Sequence, residues 1–344
     1  MNRSSVTVNS SGAATLVQGF GALLADLDGV VYAGPAAIPG AIDALEGLAG
    51  AGVALAYITN NASRSSAEVA AHLRELGAPA EARQVYGSAL AGAELLAGIV
   101  PRGASVLVTG SAILAQHVAE QGLVPVSTAD PLPDAVIQGF EPTLGWKDLA
   151  EAAFAVAGGA VWVATNTDMS IPQARGIAPG NGTLVAAVSA ATGKQPLVAG
   201  KPEAQLFRTA ASHLGVNMAL VVGDRLDTDI LGGNRAGLAT ALVLTGVDTV
   251  ESALAAVSDQ RPTYLLGNLG ELHKPYPVIH EELGIFTCGE SSAQVRDGVV
   301  IMDGERDSVD TWRAACAAWW TSKPHQDRAL FPPLEFVREP SKTY

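Results

Sequence analysis

Four short apolar runs in this chain stop abruptly at polar side chains, and between them the apolar spacing changes to that of amphipathic helices. "GALLADLD" (residues 21–28) ends on Asp26 and Asp28, and "VALAYITNN" (53–61) ends on Thr59, Asn60 and Asn61. "PLVAGK" (196–201) ends on Lys201, and "MALVVGD" (218–224) ends on Asp224, with Asp229 five residues further on. The spacing predicts a helix over residues 36–52 closed by glycine, then a second over "SRSSAEVAAHLRELG", opened by a Ser65-x-x-Glu68 capping box and closed by Gly77. Strand and helix in strict alternation imply a parallel sheet covered by helices. In such sheets ligands collect beyond the carboxyl ends of the strands, where all four polar clusters fall.

A second series of strands ("SVLVTG", "DAVIQGF", "AVWVATN") and helices ("SAILAQHVAEQG", "WKDLAEAAFAVAGG") lies between the second and third clusters. One α/β sheet therefore interrupts another. The expected division is a flexible leader over 1–20, a core from 21–82 and 196–270, an inserted α/β unit over 83–195, and an α+β extension over 271–344. In the extension "FTCGESSAQVRDGVVIMDGE" predicts a hairpin and "SVDTWRAACAAWWTS" an amphipathic helix. Trp312, Trp319 and Trp320 would pack that helix onto the core.

Of the 344 residues 48 % are apolar, ample for a large core, and 34 acidic against 21 basic residues leave a net charge of −13. That balance argues against nucleic acid and anionic membrane surfaces as partners. It leaves open a small anionic substrate in a locally positive site. Two cysteines make no disulfide framework, and no Cys or His cluster has zinc-ligand spacing. No signal segment and no 18-residue apolar run is apparent, so a cytoplasmic protein is expected.

The residue types at the strand ends fit one reaction. Asp26 can attack phosphorus and form an aspartyl-phosphate, and Asp28, two residues along the same strand, would share its face. A carboxylate approaching a phosphate ester about 4 Å away meets roughly 4 kcal/mol of repulsion per charge pair at an effective dielectric near 20. A cation must offset this. Oxygen donors favour Mg²⁺, with Asp26 and Asp224 as candidate direct ligands. Lys201 supplies a second positive charge, and Thr59 and Asn60, ahead of a helix, offer donors to phosphate oxygens. Asp227 lies off this spacing and reads as a solvated or capping carboxylate.

"DLDGVVY", "ITNNASRS", "AGKP" and "GDRLDTDI" together resemble the four ordered motifs of the haloacid dehalogenase superfamily, and most of all its class IIA, NagD-like phosphatases. The resemblance spans about residues 21–270. It implies a doubly wound, Rossmann-like core with an inserted cap, and a Mg²⁺-dependent phosphatase acting on a small phosphorylated metabolite. By this likeness Asp26 is the nucleophile and Asp28 the general acid/base, whose backbone carbonyl also meets the metal. Thr59, with Asn60 and Asn61 beside it, anchors phosphate; Lys201 steadies phosphate and nucleophile; Asp224 ligates the metal; and Asp229 holds a metal-bound water. The cap loops "ATNTD" and "GIAPGNGT" would bring Asn166, Asp168 and Asn181 to the leaving group. Many relatives carry a Thr-Ser pair where this chain has Gly87-Ser88. Three asparagine and aspartate side chains suit hydroxyls, and Asp168 would repel a second carboxylate, which favours glycerol 3-phosphate over phosphoglycolate. A phosphomutase and a phosphoacceptor signalling module remain as alternatives. Association of identical chains, where it occurs, is expected through the cap or the extension.

Overall fold

The computed structural model describes residues 14–62, 64–173 and 175–337. The first core segment comprises β1 (Ala22–Ala25), a small hairpin of β2 (Tyr32–Ala33) and β3 (Ala36–Ala37), α1 (Ala41–Ala51), β4 (Ala54–Thr59), α2 (Ser66–Glu75) and β5 (Val85–Gly87). The inserted unit follows with α3 (Ser88–Ala97), β6 (Ser105–Thr109), α4 (Ala112–Glu120), β7 (Val124–Val126), β8 (Ala135–Gln138), α5 (Trp146–Ala157) and β9 (Val161–Ala164). It continues through a hairpin, β10 (Ser170–Gln173) with β11 (Gly176–Pro179), then α6 (Asn181–Thr192) and β12 (Leu197–Val198). The core resumes with α7 (Gln205–His213), β13 (Ala219–Gly223), α8 (Leu231–Ala236), β14 (Ala239–Val243), α9 (Val250–Ala255) and β15 (Tyr264–Leu266). The extension holds β16 (Ile279–Glu282), β17 (Ile285–Cys288), β18 (Ser291–Arg296), β19 (Val299–Asp303), α10 (Val309–Ser322) and β20 (Leu334–Phe336).

Six parallel strands form the core sheet in the order β15-β14-β13-β1-β4-β5. The chain leaves β1 to one side for β4 and β5, and returns on the other side for β13. That reversal opens a crevice at the carboxyl end of β1, where Asp26 stands. Leu23, Ala25, Leu55 and Tyr57 point into one buried layer, while Ala22, Leu24, Ala56 and Ile58 point into the layer under α7. Both faces are covered, so the strands carry no polar alternation.

A second parallel sheet, β12-β9-β8-β6-β7, builds the cap, with α3 and α4 on one face and α5 and α6 on the other. The expected cap limits of 83 and 195 need correction at both ends. Val85–Gly87 pairs with β4 in the core sheet, and Leu197–Val198 pairs with β9 in the cap sheet. A three-residue and a two-residue strand are too short for their apolar pattern to reveal which sheet they join. The leader also needs correction. Leu16–Gly19 forms a 3-10 turn whose Leu16 and Val17 are buried in the core layer, and Leu16 N–H donates to the Lys274 carbonyl at 2.9 Å. The flexible leader expected over residues 1–13 lies outside the described residues. The first helix begins at Ala41 and not at 36, because Ala36–Ala37 pairs with Tyr32–Ala33. Ser65 caps α2 as expected: its Oγ accepts from Glu68 N–H at 3.2 Å, and the Glu68 carboxylate accepts from Ser65 N–H at 2.8 Å.

The extension is a sheet in which β16 to β19 run antiparallel and β20 adds in parallel, with α10 packed against it. Trp312 and Trp319 are buried with Leu226, Ile230, Leu242 and Leu254 of the core, and Trp320 packs at the edge of this cluster. Arg313, 7 % exposed, locks the docking. Its guanidinium donates to the Leu265 carbonyl at 2.6 and 2.9 Å, to Glu271 at 2.5 Å and to Asp310 at 2.7 Å, and lies 4.9 Å from the Tyr276 ring centre. Among the described residues no helix is long and apolar enough to cross a membrane. Removing one partner from a buried ion network leaves the others uncompensated, so Arg313→Ala is expected to destabilise the fold by about 3 kcal/mol or more in urea unfolding. A loss under about 1 kcal/mol would show that the apolar contacts alone hold the extension in place.

Candidate active site

Three carboxylates meet in the crevice. One oxygen each of Asp26, Asp224 and Asp229 lies within 4.8 Å of the others. Asp26 follows β1, and its N–H donates to the Val222 carbonyl of β13 at 2.9 Å. Asp224 follows β13 directly. Asp229 sits in a π-type turn, Leu226–Ile230, and its second oxygen accepts from Arg225 N–H at 3.2 Å. That wider turn closes the loop back towards β13, so a side chain five residues past Asp224 returns to the same point.

Lys201 lies between these acids. Its Nζ donates to Asp26 Oδ1 at 2.5 Å and to Asp229 Oδ1 at 2.7 Å, and the side chain is 6 % exposed. Burial works against the ammonium, but Asp229 and Asp26 outweigh it and hold its pKa above the usual lysine value. Burial raises Asp26 as well, with Lys201 opposing. Asp229 is pushed up to about 6 by burial and then by Asp26. Asp224 is likewise pushed up to about 6, chiefly by burial, against a 2.8 Å hydrogen bond from Val247 N–H to its Oδ2. Two glycines make room for Asp224: a Cβ at Gly29 (φ +76°) or at Gly246 would overlap its carboxylate. The close approach as well as the positive φ requires Gly29.

Asp28 reaches the crevice by a different route from the one expected. β1 ends at Ala25, and Asp28 belongs to a tight turn in which Gly29 N–H donates to the Tyr32 carbonyl at 2.8 Å. Its carboxylate stays open to solvent on the crevice side, yet partial desolvation still raises its pKa, with His72 and Lys201 opposing.

Thr59 ends β4 beside Asp26. Its Oγ accepts from Asn61 N–H at 3.1 Å, which leaves the hydroxyl proton to donate elsewhere. α2 begins only at Ser66, so no helix terminus adjoins Thr59 directly. The exposed Asn61 turns its Oδ1 to Arg64 N–H at 3.2 Å, shaping the loop. Asn60 is occupied by protein partners. Its Oδ1 accepts from Lys201 N–H at 2.8 Å, and its Nδ2 lies 3.2 Å from each Asp168 carboxylate oxygen.

The three cap residues are held by hydrogen bonds within the protein. Asn166 and Asn181 are buried, and their amides turn onto backbone: Asn166 Nδ2 donates to the Asn60 carbonyl at 2.8 Å, and Asn181 Nδ2 to the Asn166 carbonyl at 2.7 Å. These two hydrogen bonds brace the loop. Asp168 alone of the three keeps a partly exposed side chain, and burial raises its pKa. Asp227 pairs with Arg225 at 2.8 Å on the surface. Sequence reasoning missed Ser88, whose Oγ donates to the Asn60 carbonyl at 2.6 Å, and Asp248, which accepts from Leu226 N–H at 2.6 Å and steadies the turn carrying Asp229. The Ser88 signal was present in the Gly87-Ser88 departure; Asp248 sits in a loop without a marking pattern.

Residues 23–124 match the family model of haloacid dehalogenase-like hydrolases, and residues 198–272 match a second model of haloacid dehalogenase-like hydrolases. The D-glycerol 3-phosphate phosphatase of Mycobacterium tuberculosis is 48 % identical over 320 residues, covering 90 % of this chain and 88 % of that protein. The glycerol-3-phosphate phosphatase of Gallus gallus is 40 % identical over 252 residues, 67 % of this chain and 81 % of that one. The crystal structure of glycerol phosphate phosphatase from Mycobacterium tuberculosis in complex with magnesium superposes with a TM-score of 0.84 at 42 % identity, covering 95 % of this chain and 96 % of that chain. With four motifs converging on one crevice and relatives of this similarity along nearly its whole length, the chain belongs to the haloacid dehalogenase-like hydrolases.

Proposed function

We propose that this protein is a Mg²⁺-dependent phosphatase that hydrolyses glycerol 3-phosphate through a phosphorylated Asp26. The convergence of Asp26, Asp224 and Asp229 around Lys201 carries the reading. The similarity to the two glycerol 3-phosphate phosphatases supplies the substrate. The donor set fits the metal: carboxylate oxygens from two adjacent strand ends, with no nitrogen or sulfur among them, suit Mg²⁺. Asp26 and Asp224, with the Asp28 carbonyl, would hold the ion, and Asp229 would orient a water bound to it. When bound, Mg²⁺ neutralises charge on the phosphoryl oxygens.

The chain's own groups account for the remaining steps. Lys201 draws charge from Asp26 and holds its carboxylate in place for in-line attack on phosphorus. Thr59 donates its hydroxyl proton to a phosphoryl oxygen. As the ester bond breaks, Asp28 gives a proton to the departing alkoxide, a task suited to a carboxyl with a raised pKa. Asp28 then takes a proton from the water that attacks the aspartyl-phosphate, and inorganic phosphate leaves with Asp26 regenerated.

Asp26→Asn is expected to lower kcat at least about 1,000-fold, a rise of about 4 kcal/mol in the barrier, with the fold retained by circular dichroism. More than about a tenth of wild-type turnover would reject Asp26 as the nucleophile. Asp28→Asn should cost more with glycerol 3-phosphate, whose alkoxide needs a proton, than with p-nitrophenyl phosphate, whose phenolate leaves without one. Equal losses would assign Asp28 to metal or structure.

The raised acids also predict a pH dependence. Carboxyls held at about 6 when folded and near 3.8 when unfolded bind more protons in the folded state between those values. In excess chelator, stability therefore falls as pH rises from about 4 to about 6. Mg²⁺ binds the ionised form, so it should raise the thermal midpoint more at pH 7.5 than at pH 5. An equal gain at both pH values would exclude Asp224 as a ligand.

A further inference from the structure

Asn60 stands where both connections between core and cap come together. Its carbonyl accepts from Ser88 Oγ at 2.6 Å and from Asn166 Nδ2 at 2.8 Å; Ser88 opens the first cap helix, and Asn166 follows the cap strand β9. Its side-chain oxygen accepts from Lys201 N–H at 2.8 Å. Its amide nitrogen lies 3.2 Å from both oxygens of Asp168 and 3.2 Å from the Lys201 carbonyl. One carboxamide thus touches the cap loop and the returning strand connection at once. The fit is close: a Cβ at Gly200 would lie 2.7 Å from Asn60 Oδ1 and collide with the Thr165 carbonyl.

Lys201 has a long, flexible stem, so the place of its backbone decides whether Nζ can span Asp26 and Asp229 together. That backbone is bonded on both its N–H and its carbonyl by Asn60. Asp168, in turn, is a half-buried carboxylate whose hydrogen-bond donors include the Asn60 amide, and a charge partly removed from water needs such a partner. We propose that Asn60 is a positioning residue that ties the placement of Lys201 to the seating of the cap loop, with Asp168 as the cap's half of the latch. The proposal rests on the reading of Lys201 and Asp26 given above. It assigns Asp168 to every substrate, whereas a residue that only recognises glycerol hydroxyls would serve glycerol 3-phosphate alone.

The test uses p-nitrophenyl phosphate, which has no alcohol hydroxyl to recognise, and the full chain with saturating Mg²⁺. Asn60→Asp sets two carboxylates against each other and should lower kcat about 30-fold or more, with KM within about three-fold of wild type. Adding Asp168→Asn restores a donor to the pair, and the double variant should regain about ten-fold in kcat over Asn60→Asp. A folded double variant, by its thermal midpoint, that is no faster than Asn60→Asp would overturn the latch. Asp168→Ala, at a loop position, gives an independent check: a loss of about five-fold or more in kcat with the aryl ester supports the proposal, and an unchanged kcat refutes it. A wild-type protein that cleaves the aryl ester but not glycerol 3-phosphate would instead reject the substrate assignment, leaving these comparisons intact.

Discussion

The ammonium of Lys201, set between Asp26 and Asp229, makes the rest of the site possible. Three carboxylates with oxygens inside 4.8 Å of one another would repel strongly in a low-dielectric crevice, and burial already raises all three. A single buried cation shared by two of them lets the group form, and still leaves negative charge in excess. That excess attracts a divalent cation, and the cation in turn admits a phosphate dianion. The site is therefore poised by an electrostatic deficit and not by a neutral network.

The sheet turns this deficit into geometry. Asp26 and Asp224 leave neighbouring strands, Thr59 leaves the strand on the other side, and the spacing between strands sets how far apart they stand. Lys201 does not come from a core strand end. It arrives on the connection returning from the cap, whose last strand, Leu197–Val198, still belongs to the cap sheet. The group that organises the acids is thus attached to the domain that covers them, which is why its backbone needs a partner such as Asn60.

The alternation of apolar runs and helical periods made the parallel sheets, the inserted cap and the α+β extension legible, because buried strands and amphipathic helices differ in period over many residues. The strand-end acids, Thr59 and Lys201 were legible for the same reason: polar groups that close an apolar run have few structural uses. The domain limits were not legible, since Val85–Gly87 and Leu197–Val198 owe their sheet membership to long-range pairing. Nor were the hydrogen-bond partners of Asn60, Asn166 and Asn181, which come from segments distant in the chain.

The supports of the site lie on both the cap and the extension. With Asn166 and Asn181 turned onto backbone, the cap loop acts first as a shaped support. The extension packs against the turn that carries Asp229. Leu226 and Ile230, the first and last residues of the turn that carries Asp229, are buried in the same cluster as Trp312 and Trp319 of α10. The Asp248 carboxylate holds that turn through Leu226 N–H from the loop after β14. The π-type turn closes through its own bonds, Asp229 and Ile230 N–H both donating to the Arg225 carbonyl at 3.1 Å, and this outside packing adds to them. The turn of Asp229 is thus packed from the extension, as Lys201 is placed on the cap connection, and the 2.7 Å bond between them joins the two supports.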